Sequence, residues 1–320
     1  MRARSLWTAC GALPIERGMS TLSAAPAQIP LGPSGLSCSP IGWGMWRLQG
    51  EPEAALRLAQ AALEGGFTLF DTADVYGFDT GGFGAAEALF GQVLRLQPAL
   101  REAIVLASKG GVALPTPYNA SQAYLIHACE ASLGRLGTDR IDLYQVHRPD
   151  LLAHPAEVAA ALDTLRTAGK IRAAGVSNHT AAQTAALQAH LPFPLASVQP
   201  ELSPLAPAAL EDGVLDQAME RGMAVLAWSP LGGGRLAAPA AEDARARAVA
   251  SVLDPIAQRE GASRTAAALA WLMLHPARPI PLVGSQNPVR LQEAAAALHV
   301  RMTRREWYEV LVAGRGAPMP

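Results

Sequence analysis

A chain of 320 residues is long enough for two average domains, yet α/β barrels of this length commonly form one. Half of the residues are hydrophobic, 17% are charged and the formal net charge is -1, so a large core is possible and a polyanion such as nucleic acid is not an expected partner. No apolar run approaches the roughly 20 residues that span a bilayer, and the three cysteines (Cys10, Cys38, Cys129) form no CxxC and sit with no histidine at zinc-ligand spacing, which points to a reducing, cytoplasmic setting without a structural metal.

The opening MRARSLWTACGALP imitates a signal peptide, but Pro14, Glu16 and Arg17 interrupt its apolar stretch too early. Residues 1–28 are therefore expected to be a disordered leader, and residues 29–320 a single barrel domain. IPLGPSGL follows, with turn chemistry at Gly32-Pro33-Ser34-Gly35, and reads as a small β-hairpin closing one end of the fold. From there, short apolar runs alternate with alanine- and leucine-rich amphipathic stretches. Strands are expected at 40–45, 67–71, 104–108, 141–147, 171–177, 196–202, 223–229 and 279–284. Helices are expected at about 52–66, 86–96, 121–137, 155–170, 180–190, 212–222, 243–274 and 288–298, with glycines 65–66, 134, 137, 169 and 222 as C-caps. Eight strand–helix repeats give a (β/α)8 TIM barrel; a doubly wound sheet lacks the GxGxxG after its first strand that would support it.

In such a barrel, chemistry belongs at the C-terminal ends of the strands. Polar residues collect there: Asp71 and Tyr76 in FDTADVYG, Lys109 in ASKGG, His147 in YQVHRPD, Ser177 and Asn178 in GVSN, and Gln199. Lys109 is one of only two lysines in an arginine-rich chain, the other being Lys170. A compact ammonium can sit end-on to one phenol oxygen, whereas a guanidinium is a wide planar fork, so the position calls for lysine itself. The expected device is a Tyr76 phenol made easier to ionise by Lys109, a carboxylate of Asp71 holding the ammonium, and a His147 that orients a carbonyl oxygen. Each residue alone has a structural explanation, as a cap, a loop closer or a core histidine; four on one rim favour catalysis. The remaining histidines (127, 154, 179, 190, 275 and 299) read as structural and without partners.

Two later stretches suggest a nicotinamide dinucleotide. WSPLGGGR follows the seventh strand and offers free backbone N–H groups, and VGSQNPVRLQEA opens the last helix, with Ser285 near its start and Arg290 one turn in.

FDTADVYG, ASKGG, LYQVHRPD, GVSN, WSPLGGGR and PIPLVGSQNPVRLQEA, in this order, resemble the aldo-keto reductases over residues 30–315, and GWGMWRL, HRPDLLAHPAEVAAALDTLRTAGKIRAAGVSNHT and MTRREWYEV resemble their bacterial YdhF-like branch. The resemblance implies a barrel that binds NADPH, with NADH the lesser cofactor, and reduces a small-molecule carbonyl. It implies Tyr76 as general acid, Lys109 and Asp71 as its tuning pair, and His147 at the carbonyl. Gly44, Met45 and Trp46 would lie near the nicotinamide ribose; Ser177, Asn178 and Gln199 at the carboxamide; Trp228 on the ring. Ser229, Leu231 and Gly232 would line the pyrophosphate, and Gly284, Ser285 and Arg290 the adenosine 2′-phosphate region. Gly284 stands where many relatives carry a lysine, and Ala294 where an adenine-contacting asparagine is common. Trp46, Phe78 and Tyr118 are candidate substrate contacts in an apolar mouth suited to small aldehydes, dicarbonyls or aromatic ketones, with the loop after His147 and the segment leading into Asp212 closing over them. No membrane partner is expected, and the chain is expected to be a monomer or weak homo-oligomer. The rival functions are an NADPH-binding regulatory or redox-sensing barrel with little turnover, and a phosphate-handling aldolase or isomerase using Lys109 as a Schiff base.

Overall fold

The computed structural model describes residues 28–237 and 243–320. The leader expectation and Cys10 fall on residues 1–27, outside the described residues. In chain order come β1 (Ile29–Pro30), β2 (Ser37–Cys38), β3 (Gly42–Gly44), α1 (Pro52–Glu64), β4 (Leu69–Asp71), α2 (Phe78–Gly81), α3 (Ala85–Leu96), α4 (Leu100–Ala103), β5 (Val105–Gly110), α5 (Gln122–Leu136) and β6 (Ile141–Val146). They are followed by α6 (Pro155–Thr167), β7 (Ile171–Ser177), α7 (Ala181–Gln188), β8 (Ser197–Gln199), α8 (Val214–Arg221), β9 (Ala224–Ala227), α9 (Ala244–Arg259), α10 (Arg264–Met273), β10 (Ile280–Val283), α11 (Pro288–Ala295) and α12 (Arg304–Arg315). Strands β3 to β10 pair in parallel, each with the next, and β10 returns to β3 to close the barrel. Most of their residues are apolar, because one side faces the barrel interior and the other the ring of helices.

The antiparallel pair β1–β2 is the expected hairpin, and it fills the N-terminal end of the barrel. Leu31, Leu36 and Cys38 pack there against inward-facing Leu69, Ala107, Leu143, Ala173, Ala196, Leu226, Ile280 and Leu282. Gly32 makes this fit possible: its φ is +56° and a Cβ on it would stand 2.1 Å from the Ala196 carbonyl oxygen, so no other residue can lie this close to the strand. A larger cluster joins the outside of the barrel to the helices, including Trp43, Phe70, Phe90 and Tyr144.

Three helices, α2, α4 and α12, go beyond the expected set. The first two have four residues each, too few for a periodic signal, and α12 announces itself by the Thr303/Glu306 capping box. Helix α12 packs on α9 and is tied to α10 by Trp271 and Trp307, whose rings stack at 5.1 Å and whose indole N–H groups each donate to the other's carbonyl at 2.9 Å. The single helical region expected at 243–274 is two helices, broken at Gly261 where φ is +63°. Gly134 lies inside α5 rather than at its cap, which is Gly137 in the left-handed conformation. Several of the histidines read as partnerless have partners: the His154 ring accepts from Ala156 N at the start of α6, the His275 ring accepts from Ala277 N, and His179 Nδ1 lies 2.9 Å from the Ser177 carbonyl. No helix among the described residues is long and apolar enough to cross a membrane.

Candidate active site

Strand β5 carries Lys109 to the upper end of the barrel, and the two-residue period of a strand points it inward above Ala107. Its Nζ is wholly buried and its three protons are all used: they go to Asp71 Oδ2 at 2.6 Å, the Thr72 carbonyl at 2.9 Å and the Tyr76 hydroxyl at 3.0 Å. The loop that bears Tyr76 is held to β5 by Thr72 N donating to Ala107 O and Asp74 N to Lys109 O. Asp71 in turn accepts at Oδ1 from Gln199 Nε2 (3.1 Å) and Gln145 Nε2 (3.4 Å), so both of its oxygens are fixed. Tyr76 meets the His147 ring edge-on with centroids 5.7 Å apart. All four expected catalytic residues thus converge on one rim. Gln145 completes the layer beneath them; in IDLYQVH it is in phase with His147, which was the available signal for it.

Lys109 acts on Tyr76 in the expected direction, but burial outweighs it. Burial pushes the phenol above the ordinary tyrosine value of 10.0, and the Lys109 ammonium offsets this only in part, so the net shift is upward. The hydroxyl is therefore held protonated at neutral pH, as a donor. Burial by itself would lower the Lys109 pKa, but Asp71 and Tyr76 outweigh it and the ammonium is retained. Burial, with the nearby charges of Lys109 and Arg148, drives His147 well below the usual histidine range, so its ring is neutral. Its Nδ1 is buried without a hydrogen-bond partner in the protein.

Behind this rim lies a second buried carboxyl that the sequence did not single out. Asp74 is wholly buried, neither of its oxygens has a hydrogen bond in the protein, and burial followed by repulsion from Glu87 raises its pKa to about 8. Glu87 is itself neutralised by Arg135 at 2.7 Å and accepts from the Ser108 hydroxyl at 2.5 Å.

A cleft of about 500 Å³ runs from Asp71, Tyr76 and His147 past Ser177, Asn178, Gln199 and Trp228 to Ser285 and Arg290. Its side chains are pre-set: Trp228 Nε1 donates to Asn178 Oδ1 at 2.9 Å, and Asn178 Nδ2 donates to Ser177 Oγ at 2.8 Å and the His147 carbonyl at 3.2 Å. Gly44, Trp46, Ser229, Leu231 and Gly284 also line it. Met45 and Gly232 do not: the Met45 side chain is buried in the core, and Gly232 lies against Leu205. The glycine loop also departs from expectation, since Gly232 N, Gly233 N and Gly234 N donate to Ser229 O, Ser229 Oγ and Leu231 O, so these N–H groups are not free. Ala294 is buried in the core, and Glu293 faces the cleft beside Arg290. The residues suit a nicotinamide dinucleotide: a flat indole, carboxamide partners, side-chain-free Gly44 at the end of β3 and Gly284 just after the neighbouring β10, and a cation in the first turn of α11.

A second cleft of about 520 Å³ opens on the other side of Tyr76 and His147. It brings Trp46, Phe78 and Tyr118 together as expected, but its walls also include Arg47, Gln49, Asp79, Thr80, Arg148 and Gln286. The lining is thus mainly apolar and aromatic, as expected, with charged and polar side chains set into it; arginines on connecting segments carry no motif that would have announced them. Asp212 lies on neither cleft and instead accepts from Val214 N at the start of α8.

The aldo/keto reductase family model matches residues 40–311. The chain is 54% identical over 306 residues to a 6-dehydroglucose reductase of Novosphingobium aromaticivorans, covering 94% of this chain and 100% of that protein. It is 36% identical to a 6-dehydroglucose reductase of Agrobacterium fabrum (86% and 94% covered) and 37% identical to oxidoreductase YdhF of Escherichia coli (92% and 99% covered). Its fold matches the crystal structure of the thermostable aldo-keto reductase Tm1743 with the inhibitor epalrestat, at TM-score 0.77 and 24% identity, covering 89% of this chain and 99% of that one.

Proposed function

The chain belongs to the aldo/keto reductase family, and we infer that it is an NADPH-dependent reductase of a sugar aldehyde, with 6-dehydroglucose as the concrete candidate substrate. It is a carbonyl-reducing oxidoreductase whose activity resides in residues 29–320 acting as one barrel domain. The observation that carries the reading is Lys109 Nζ, buried between Asp71 and the hydroxyl of Tyr76, the latter residue lining both clefts.

When bound, NADPH supplies the hydride that reaches the carbonyl carbon. The chain supplies the proton and the geometry. Tyr76 donates its hydroxyl proton to the carbonyl oxygen, and the Lys109 ammonium 3.0 Å away stabilises the phenolate left behind. Asp71 keeps that ammonium charged and in place. Neutral His147 hydrogen-bonds the carbonyl oxygen and orients it toward Tyr76. Ser177, Asn178 and Gln199 would hold the carboxamide, Trp228 would face the ring, and Ser285 with Arg290 would receive a 2′-phosphate, which would favour NADPH over NADH. The sugar is suggested by the polar side chains set into the aromatic second cleft and by the names of the two 6-dehydroglucose reductases. Steady-state NADPH consumption with 6-dehydroglucose, run beside NADH and beside simple aldehydes, tests this. Turnover with a preference for NADPH and for the sugar is expected; no turnover on any carbonyl would refute it.

A further inference from the structure

The substrate-facing cleft carries more positive charge than carbonyl reduction requires. Arg47, at its boundary with the cofactor cleft, lines both. Its guanidinium lies over the Trp46 ring at 4.8 Å, an arrangement that stabilises the cation and leaves the edge of the fork free to donate. Trp46 is 54% exposed, a large cost for an indole that serves no contact. Position 284, without a side chain, leaves room for it: a Cβ on Gly284 would stand 3.3 Å from Trp46 Cδ1 and Nε1, a tight contact. Gly284 has no left-handed backbone that would demand glycine, so the absent side chain serves space alone. Arg47 has no carboxylate within 4.0 Å among the described residues. It is a positioned, unpaired donor on the path to Tyr76.

We propose that Arg47, carried on Trp46 over Gly284, is the residue that selects the substrate: it donates to hydroxyl oxygens of a pyranose whose apolar face lies in the aromatic part of the second cleft. This rests on the sugar-aldehyde reading above. A site built to hydrogen-bond substrate hydroxyls discriminates against compounds lacking them, because its own donor is then left without a partner. Arg148, over Trp228 at 5.8 Å, forms another cationic wall of the same cleft, and Gln49, Thr80 and Gln286 offer neutral partners for other hydroxyls.

The test compares wild type, Arg47→Met and Arg47→Lys with NADPH on two aldehydes, 6-dehydroglucose and benzaldehyde, which has no acceptor besides its carbonyl, and measures D-glucose binding by calorimetry. Arg47→Met is expected to lose on the order of 10–100-fold in kcat/KM on the sugar, the worth of a charge-assisted hydrogen bond, chiefly through KM. Turnover of benzaldehyde should stay within about twofold, since it offers Arg47 no acceptor apart from the reacting carbonyl. Glucose affinity should fall by the same factor as the sugar kcat/KM, and Arg47→Lys should lie between. Equal losses on both aldehydes, or unchanged glucose binding in Arg47→Met, would overturn the proposal, as would a wild type that does not bind glucose. If the wild type binds glucose through Arg47 yet does not reduce 6-dehydroglucose, the subsite stands and the substrate reading falls.

Discussion

At the N-terminal end of the barrel, Leu31, Leu36 and Cys38 of the hairpin meet a ring of inward-facing aliphatic side chains. At the other end, Asp71, Lys109, Gln145 and Gln199 fill the same kind of space with a hydrogen-bonded polar layer, and Asp74 adds a buried carboxyl with no hydrogen bond in the protein. The first end gains free energy from apolar burial, at about 25 cal/mol per Å². The second gives some of it up, because buried charges are desolvated and recover that cost only through good partners. One end holds the barrel shut; the other, on the mechanism proposed above, holds a proton donor and its ammonium ready for a carbonyl.

This contrast is sharpest at Lys109. Lys109→Met removes the ammonium and leaves the Asp71 carboxylate buried without its ion-pair partner, so it should cost roughly 10²–10⁴ in kcat and about 3–5 kcal/mol of stability. Steady-state kinetics and urea unfolding would check both, and a variant that lost neither would dissolve the distinction between the two ends. Leu31→Ala at the opposite end is expected to cost about 2–5 kcal/mol of stability while kcat at 25 °C stays at the wild-type level; a fall in kcat without unfolding would show the ends to be coupled. Arg290→Ala, in the first turn of α11 and far from the proton donor, should weaken NADPH by roughly 10–100-fold and leave NADH nearly unaffected, as titration of either dinucleotide would reveal.

The subtlest prediction concerns pH. Asp74 keeps its proton up to about pH 8 in the folded chain but loses it near the ordinary aspartate value of 3.8 when unfolded. Between those values the folded state binds more protons, so this residue makes stability fall as pH rises. Asp74→Asn removes that dependence. Its melting temperature should exceed that of the wild type at pH 8, with the gap closing toward pH 4; a gap independent of pH would assign the effect to packing instead.

The barrel was legible because alternating strands and amphipathic helices write their period into the chain, and the tetrad because its members sit at the ends of successive strands. Tyr76 shows where such reading stops. Its neighbours were visible in the sequence, but the sign of its pKa shift depends on how much water the folded loop excludes, and that amount belongs to the packing. Gly232 shows the same limit, since whether a glycine N–H is free depends on where the loop closes. Arg47 and Arg148 were missed because a loop arginine becomes informative only once it is seen lying over a tryptophan at a cleft.

The measurement that bears most directly on the account is single-turnover oxidation of bound NADPH by 6-dehydroglucose in wild type and Tyr76→Phe, with NADPH affinity measured in both. A rate lower by roughly 10²–10⁴-fold in the variant, at unchanged affinity, is the predicted result for loss of a general acid. A variant that turns over at the wild-type rate would contradict it, because the proton would then come from elsewhere.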